Sequence, residues 1–108
     1  MTTNLKGRKV LLHDMCLRDG MHAKREQISV EQMVKVACAL DDAGVQLLQV
    51  THGAGLGGNS LQHGFALASN EAYLQAVVPR MKQAKVSVLL IPGLGTMREL
   101  QSAYDCGA

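Results

Sequence analysis

Three short, mainly apolar runs that contain β-branched residues divide the chain, at positions 10–12, 45–50 and 86–91. They begin roughly 35 to 40 residues apart, and each is followed by a glycine-containing loop and then by a stretch with helical periodicity. This alternation predicts strand, loop and helix three times over, with parallel strands joined by right-handed crossovers. Because the runs are almost continuously apolar, we expect strands that are covered on both faces.

The helical stretches carry recognisable start and stop residues. Ser29 with Gln32 and Thr96 with Glu99 have capping-box spacing, and Gly44 suits the end of the first helix. A second helix is expected to begin near residue 70. The side chains expected to face the core are Met33, Val34, Ala37, Leu40 and Ala43 in the first helix, Tyr73, Ala76, Val77 and Met81 in the second, and Leu100, Ala103 and Tyr104 in the third.

Composition supports helices packed on a sheet and excludes some partners. With 108 residues the chain suffices for one small domain, and its 47% hydrophobic but 3% aromatic content leaves packing mainly to Ala, Val, Leu and Met. A formal charge of +2 gives no argument for nucleic acid or an acidic surface as partner. The longest apolar run is far too short to cross a bilayer, so no membrane association is expected.

The cysteines indicate a reducing compartment. Cys16, Cys38 and Cys106 are odd in number and widely spaced, and no C-x-x-C pair occurs. Neither a disulfide framework nor a zinc knuckle is indicated. Reduced thiols in a cytoplasm are the simplest interpretation.

The stretch DMCLRDGMHAKREQ, residues 14–27, concentrates chemically active groups directly after the first predicted strand. A carboxylate such as Asp19 can bind a hard divalent metal, the guanidinium of Arg18 can hold an enolate oxygen, and the imidazole of His22 can move a proton. Together they suit carbon–carbon chemistry through an enolate. The alternative is a charged loop with one internal ion pair. The first hypothesis predicts that the three cluster at the C-terminal end of the first strand, near His52 and Pro92.

Two glycine-rich loops follow the other strands. In THGAGLGGNS, residues 51–60, the glycines fit G-x-G-x-x-G, but no acidic residue for a ribose lies between Glu71 and Glu99. A flexible loop that lets substrate approach the backbone is favoured over a dinucleotide site. His52 is expected to be a packed, satisfied histidine. IPGLGT, residues 91–96, resembles a phosphate-binding turn, but a plain turn and helix cap explains it.

These motifs resemble a known family. HDMCLRDGMHAKREQ is similar to the first βα loop of 4-hydroxy-2-oxovalerate aldolases, written D-x-x-L-R-D-G-x-H-A-x-R. THGAGLGGNSLQHGF resembles the second loop of that family, and LLIPGLGT resembles the third. The resemblance covers essentially all 108 residues in order.

The resemblance implies an α/β fold, with residues 1–108 as the first three βα units of a TIM (β/α)8 barrel. It implies cleavage of 4-hydroxy-2-oxopentanoate into pyruvate and acetaldehyde with Mn2+ or a similar divalent metal. Arg18 would stabilise the pyruvate enolate, Asp19 would bind the metal and contact substrate, and His22 would accept the C4 hydroxyl proton. An acylating acetaldehyde dehydrogenase would receive the aldehyde, within catabolism of aromatic compounds in the cytoplasm.

The chain also departs from the family pattern. Glu26 stands where His is expected, Gln49 where Glu is expected, Ala54 where Asp is expected and His63 where Tyr is expected. The later metal-binding histidines and the C-terminal tyrosine of the family are absent, since a TIM barrel needs roughly 250 residues. We therefore expect an incomplete barrel domain with little or no activity by itself. The alternative is a non-enzymatic βα module that associates with another chain through open sheet edges.

Overall fold

A computed structural model describes residues 4–108 of the chain, and its fold is α/β. The elements are β1 (His13–Asp14), α1 (Cys16–Ala23), α2 (Val30–Asp42), β2 (Leu47–Gln49), α3 (Asn70–Val77), a 3-10 turn (Val78–Arg80), β3 (Lys85–Ser87) and α4 (Met97–Asp105). The three strands are parallel in the order β1-β2-β3, with Leu47 of β2 in register with His13 and Lys85. The predicted alternation of parallel strands and helices is therefore confirmed.

The core lies between the central strand and the helices that pack on it. Leu48 and Val50 are fully buried at β2, and so are Met33 of α2 and Tyr73 of α3. The phenol of Tyr73 donates to the Ile28 carbonyl oxygen at 2.6 Å and so ties α3 to the start of α2. The remaining buried apolar residues are Leu17, Met21, Ala37, Leu56, Leu74, Val77, Ala84, Val86 and Ala103.

The predicted helix ends are confirmed. At α2 the Ser29 hydroxyl accepts from the Gln32 backbone N–H, and the Gln32 side chain accepts from the Ser29 N–H. Thr96 and Glu99 make the same reciprocal pair at α4. Gly44 follows α2 with a φ of +91°, a conformation that glycine adopts without a Cβ penalty.

The first strand differs from the prediction. Residues 10–12 are not a buried strand: Val10, Leu11 and Leu12 are 55%, 64% and 57% exposed, and strand pairing begins only at His13. The reason is that β1 is an edge strand in the described sheet, and only β2 pairs with it. The Leu12 carbonyl oxygen accepts a hydrogen bond from the Leu47 N–H, and the Leu12 N–H donates to the Gln46 side chain.

The segment after β1 also differs, because residues 14–22 are not a loop. Most of them form α1, with Leu17 and Met21 one turn apart and buried against the core. Two apolar residues four positions apart suffice to anchor such a short helix, although Gly20 inside it lowers its intrinsic stability. The chemically active groups therefore stand on a helix that begins two residues after the strand ends.

The predicted apolar face of α4 is partly wrong. Ala103 is buried and Leu100 is half-buried, but Tyr104 is 71% exposed. Tyr104 stands about 100° around the helix from Ala103, and no described element covers that side. In α3, Leu74 joins Tyr73 and Val77 in the core.

Asp41 ties α2 to the start of β3. Its side-chain oxygens accept from three consecutive backbone N–H groups, those of Lys82 at 2.6 Å, Gln83 at 3.2 Å and Ala84 at 2.8 Å. The residue is only 2% exposed. These hydrogen bonds, that from Lys82 foremost, lower the pKa of Asp41 below its ordinary value although burial opposes them. None of the helices among residues 4–108 is long and apolar enough to cross a membrane.

Candidate active site at the ends of the first two strands

Helix α1 carries Arg18, Asp19 and His22 past the C-terminal end of β1. Arg18 and His22 are four positions apart and therefore lie on one face of the helix. The Arg18 side chain is 14% exposed, whereas that of Asp19 is 71% exposed and that of His22 is 55% exposed. The helix thus directs a half-buried cation inward and leaves a carboxylate and an imidazole accessible.

Arg18 is fixed over the C-terminal end of β2. Its Nε donates to Gln49 Oε1 at 2.7 Å, and its Nη1 donates to the Gly53 carbonyl oxygen at 3.1 Å. Nη1 also lies 3.6 Å from Asp19 Oδ1. A guanidinium has five N–H donors, so donors remain for a ligand beside Gly53.

Glu26 is a buried carboxylate, 4% exposed, at the centre of this site. Its Oε2 accepts from the Gly53 N–H at 3.0 Å and lies 3.6 Å from His52 Nε2. Its Oε1 lies 3.8 Å from His22 Nδ1. The residue therefore connects α1 with the loop that follows β2.

His52 is the packed, satisfied histidine that the sequence predicts. It is fully buried, and its Nδ1 accepts from the Ala54 N–H at 3.0 Å. The proton must then be on Nε2, which lies 3.0 Å from the Gly64 carbonyl oxygen and donates to it. The His52 N–H donates to Asn70 Oδ1 at 2.9 Å, which fixes the loop against the start of α3.

The backbone that carries Glu26 is strained. Arg25 and Glu26 have φ of +51° and +64°, in the left-handed region that side chains other than glycine seldom adopt. Such a conformation costs about 1–2 kcal/mol per residue. The surrounding contacts must offset this cost, and among them is the hydrogen bond from the Glu26 N–H to the Met21 carbonyl oxygen at 2.8 Å.

The glycine-rich loop after β2 packs against neighbouring loops of the same chain. The Gly55 N–H donates to the His52 carbonyl oxygen and the Leu56 N–H donates to the Leu89 carbonyl oxygen. A Cβ at Gly55 would collide with that Leu89 oxygen, and one at Gly58 would collide with the His52 ring. The glycines therefore allow close packing of the second and third loops, and these amides are not free to cradle a phosphate.

The third loop forms a turn and a helix cap. The Leu94 and Gly95 N–H groups donate to the Ile91 carbonyl oxygen, and Pro92 pairs with Gly95. The Glu99 side chain accepts from the Thr96 N–H at 2.7 Å. The Glu99 N–H donates in turn to the Thr96 hydroxyl at 3.3 Å, which agrees with the interpretation of this loop as a plain turn and helix cap.

A family model described as HMGL-like matches residues 9–108, most of the chain. The chain belongs to the HMGL-like family. Its three parallel strands with their helices are units of the TIM barrel of that family, which agrees with the resemblance found from the motifs.

Named relatives of this HMGL-like chain are aldolases. It is 88% identical over 108 residues to 4-hydroxy-2-oxovalerate aldolase 2 of Methylibium petroleiphilum, which covers 100% of the chain and 30% of that protein. It is 88% identical over 106 residues to 4-hydroxy-2-oxovalerate aldolase 1 of Azoarcus sp., covering 98% of the chain and 30% of the relative. It is 62% identical over 104 residues to the 4-hydroxy-2-oxovalerate aldolase of Pseudomonas putida, and the match covers 96% of the chain and 30% of that protein. The chain spans about 30% of the length of these relatives.

Residues 4–108 of this HMGL-like chain contain no group of three His, Cys, Asp or Glu side chains that could hold a metal ion. The Asp19 carboxylate is exposed and forms an ion pair with Arg18. All three cysteines are free. Burial and the neighbouring Asp14 raise the pKa of the Cys16 thiol to about 11, which makes it a poor nucleophile at neutral pH.

A groove of about 410 Å³ lies elsewhere, between α1 and α2, with Leu17, Ile28 and Val36 among its lining residues. None of Arg18, Asp19 and His22 lines this groove. We place the candidate site beside Gly53 because polar groups from α1 and the end of β2 converge there.

The sequence pattern assigned no role to two residues that organise the candidate site. Glu26 and Gln49 appear in it only as departures from the aldolase pattern, yet one holds Gly53 and the other holds Arg18. The other two departures behave differently: Ala54 supplies a backbone N–H to His52, and His63 is exposed. The signal that could have identified Glu26 and Gln49 is that each places a charged or amide side chain where the family motif has a different residue.

Proposed function

We propose that this chain supplies the enolate-binding and proton-accepting part of a 4-hydroxy-2-oxovalerate aldolase. The reaction is the cleavage of 4-hydroxy-2-oxopentanoate into pyruvate and acetaldehyde. The observation that carries the proposal is the convergence of Arg18 and His22, one helical turn apart, on Gly53 at the ends of β1 and β2. Ligand chemistry in such barrels gathers at the C-terminal ends of the strands.

His22 is proposed as the base. Cleavage begins when the C4 hydroxyl loses its proton, and the imidazole accepts it. The C–O pair then forms the carbonyl of acetaldehyde while the C3–C4 bond breaks, and its electrons pass to C3 and the C2 oxygen as the pyruvate enolate. Protonation of C3 completes pyruvate. The 55% exposure of the His22 side chain leaves it accessible to such a substrate.

Arg18 is proposed to stabilise the enolate. Negative charge develops on the C2 oxygen as the bond breaks, and a preorganised donor aimed at that charge lowers the barrier. Gln49 and the Gly53 carbonyl oxygen hold the guanidinium in place before substrate arrives. Lysine could not keep both contacts and still present a planar pair of donors.

Asp19 is proposed as one ligand of a divalent metal such as Mn2+, and with Arg18 as a substrate contact. A bound metal would polarise the C2 carbonyl as a Lewis acid. The described residues do not form a site for it, because Asp19 stands without a second ligand and a hard cation takes about six.

The domain, the partner enzyme and the cellular location are proposed from the resemblance to 4-hydroxy-2-oxovalerate aldolases. Residues 1–108 are proposed as the first three βα units of a barrel domain. The acetaldehyde is proposed to pass to an acylating acetaldehyde dehydrogenase, in the cytoplasmic catabolism of aromatic compounds. The free cysteines are compatible with that reducing location.

A chimaeric enzyme tests the aldolase proposal. This chain replaces the matching 30% of the Methylibium petroleiphilum aldolase, to which it aligns over its full length, and pyruvate release is followed with a coupled assay. We expect manganese-dependent turnover that Asp19→Ala abolishes and that Arg18→Lys reduces. A folded chimaera without turnover, or one whose turnover ignores these changes, would refute the proposal.

The 108-residue chain alone should not cleave 4-hydroxy-2-oxopentanoate when manganese is added. The reason is that Asp19 with water molecules binds a hard cation weakly. The same coupled assay, with and without manganese, measures it. Turnover that rises with manganese and disappears in Asp19→Ala would show that the single carboxylate suffices.

A second candidate function is a non-enzymatic βα module that pairs with another chain. Its support is that β1 and β3 are both edge strands of the described sheet, and that residues 10–12 present exposed apolar side chains beside β1. Open edges of this kind invite pairing. Size-exclusion chromatography discriminates, since a specific module gives one defined oligomer and an unfilled barrel segment gives a range of aggregates.

A further inference from the structure

We propose that Glu26 is a positioning residue that fixes the tautomer of His22, with the proton on Nδ1 and the lone pair on Nε2. The inference rests on the proposed function in which His22 accepts a proton. A base needs one unprotonated nitrogen directed at the substrate, and the group facing its other nitrogen decides which one that is. In this chain that group is a buried carboxylate at a position where the family pattern has histidine.

The two oxygens of Glu26 have separate tasks. Oε2 is occupied by the Gly53 N–H at 3.0 Å, which leaves Oε1 as the oxygen that faces His22 Nδ1 at 3.8 Å. An N–H pointing at a carboxylate is attracted, whereas a lone pair pointing at it is repelled, and the burial of the Glu26 carboxylate reduces the solvent screening of both effects on its side of the pair. The arrangement therefore favours Nδ1–H.

His52 does not compete for Oε1. Its proton is on Nε2 and is donated to the Gly64 carbonyl oxygen, and its contact with Glu26, at 3.6 Å, is with Oε2. Arg18 is held by Gln49 and the Gly53 carbonyl oxygen. Each neighbouring cation or imidazole thus has its own partner, and Oε1 remains directed at His22.

Two features hold the carboxylate in this place. The strained φ values of Arg25 and Glu26 turn the chain so that the Glu26 side chain points inward. Gly53 supplies the space, because a Cβ there would stand 2.7 Å from Glu26 Oε1 and 2.9 Å from the His22 ring. Strain retained at such a point is typical of functional sites.

Nitrogen-15 NMR of the imidazole rings in the chimaeric aldolase, in which the barrel is complete, tests the inference. In the unsubstituted chimaera we expect the Nδ1–H tautomer of His22 to dominate, although a free imidazole side chain in water prefers Nε2–H. In Glu26→Gln the single amide oxygen is required by the Gly53 N–H, so the NH2 group faces His22 Nδ1. We expect the tautomer ratio to shift toward Nε2–H by about tenfold. Glu31→Gln, an exposed change on α2, is the matched control and should leave the ratio unchanged.

An unsubstituted chimaera whose His22 carries its proton on Nε2 would overturn the inference, as would an unchanged ratio in Glu26→Gln. If Glu26→Gln does not fold, the spectrum of the unsubstituted chimaera alone still decides. The measurement is independent of activity. An inactive chimaera with His22 in the Nδ1–H form would refute the aldolase proposal alone, and an active one with His22 in the Nε2–H form would refute the role of Glu26 alone.

Discussion

Two carboxylates are buried among residues 4–108, and they are held in opposite ways. Asp41, 2% exposed, receives three backbone N–H groups at the end of the sheet where β3 begins. Glu26, 4% exposed, receives one backbone N–H at the end where β1 and β2 finish, and otherwise faces two imidazoles. The backbone of Asp41 is helical, whereas that of Glu26 is left-handed.

The difference separates an acid that stabilises the fold from one that we propose positions His22. Backbone amides are fixed donors with one protonation state, so a carboxylate that accepts three of them can only stabilise the fold. Imidazoles can gain, lose or relocate a proton, so a carboxylate that faces them can influence chemistry. In barrels of this kind the C-terminal end of the strands carries function and the opposite end carries stability. The two acids lie at these two ends.

The largest expected effect compares the two ends in the chimaeric aldolase. His22→Ala should lower kcat by about 10²–10⁴-fold, the usual contribution of a general base. Asp41→Asn should leave kcat unchanged below the unfolding temperature, because it touches neither Arg18, Asp19 nor His22. Steady-state kinetics with purified, folded variants measure both. Equal losses of kcat would remove the distinction between the two ends.

The second prediction concerns acid stability and the lowered pKa of Asp41. Its stabilising contribution is fully present above the unfolded-state pKa of about 3.9 and is lost as pH falls through the lower folded-state pKa. Below about pH 4 the native chain should therefore lose stability, and Asp41→Asn, less stable at neutral pH, should lose less of it. Urea unfolding from pH 3 to pH 7 measures this.

Asp42→Asn is the control for the second prediction. Asp42 is the next residue, its side chain is 63% exposed, and among residues 4–108 it forms an ion pair with Lys82 Nζ at 3.5 Å. Exposed pairs contribute little, so this variant should follow the native pH profile. A native profile that is flat between pH 3 and pH 5 would contradict the role given to Asp41.

Sequence reasoning predicted what depends on local pattern. The capping boxes at Ser29 and Thr96 and the stop at Gly44 follow from residues within four positions of each other, and the structure has all three. Parallel strand order follows from the alternation of elements. The predictions that Tyr104 faces the core and that residues 10–12 form a buried strand were wrong. The exposure of a residue depends on which neighbours cover its face, and a local pattern does not contain that information.

The sequence could indicate which residue types gather at the candidate site, but it could not indicate which hydrogen bonds connect them. Asp14 to His22 could be recognised as a reactive stretch, but α1 was missed because Gly20 and the charges disguise a helix anchored by only Leu17 and Met21. Glu26 reaches Gly53 across 27 positions of sequence, and Gln49 reaches Arg18 across 31. Contacts of such separation arise only when the strands bring their ends together.

The third prediction concerns the space around Glu26. Gly53→Ala should destabilise the chain by about 1–3 kcal/mol, because the added methyl would press on Glu26 Oε1 and the His22 ring. Gly20→Ala is the matched control, since nothing lies within 4 Å of its added Cβ and it stands in a helix. That change should stabilise by up to about 1 kcal/mol. Urea unfolding at pH 7 compares them, and equal effects of the same sign would contradict the tight packing at Gly53.

The smallest expected effect concerns the strained backbone before the buried acid. Arg25→Gly removes a strain of about 1–2 kcal/mol at a φ of +51°, and adds the unfolded-state entropy of glycine, about 0.5–1 kcal/mol. The net result should lie between no change and about 1.5 kcal/mol of stabilisation. Lys24→Gly, one residue earlier at a φ of −95°, relieves no strain and should destabilise by about 0.5–1 kcal/mol. Urea midpoints at pH 7 measure the difference. If both variants lose the same stability, the left-handed turn is not strained, and the inward direction of Glu26 comes without cost. If only Arg25→Gly is tolerated, the chain holds its site carboxylate against a local penalty that Asp41 does not bear.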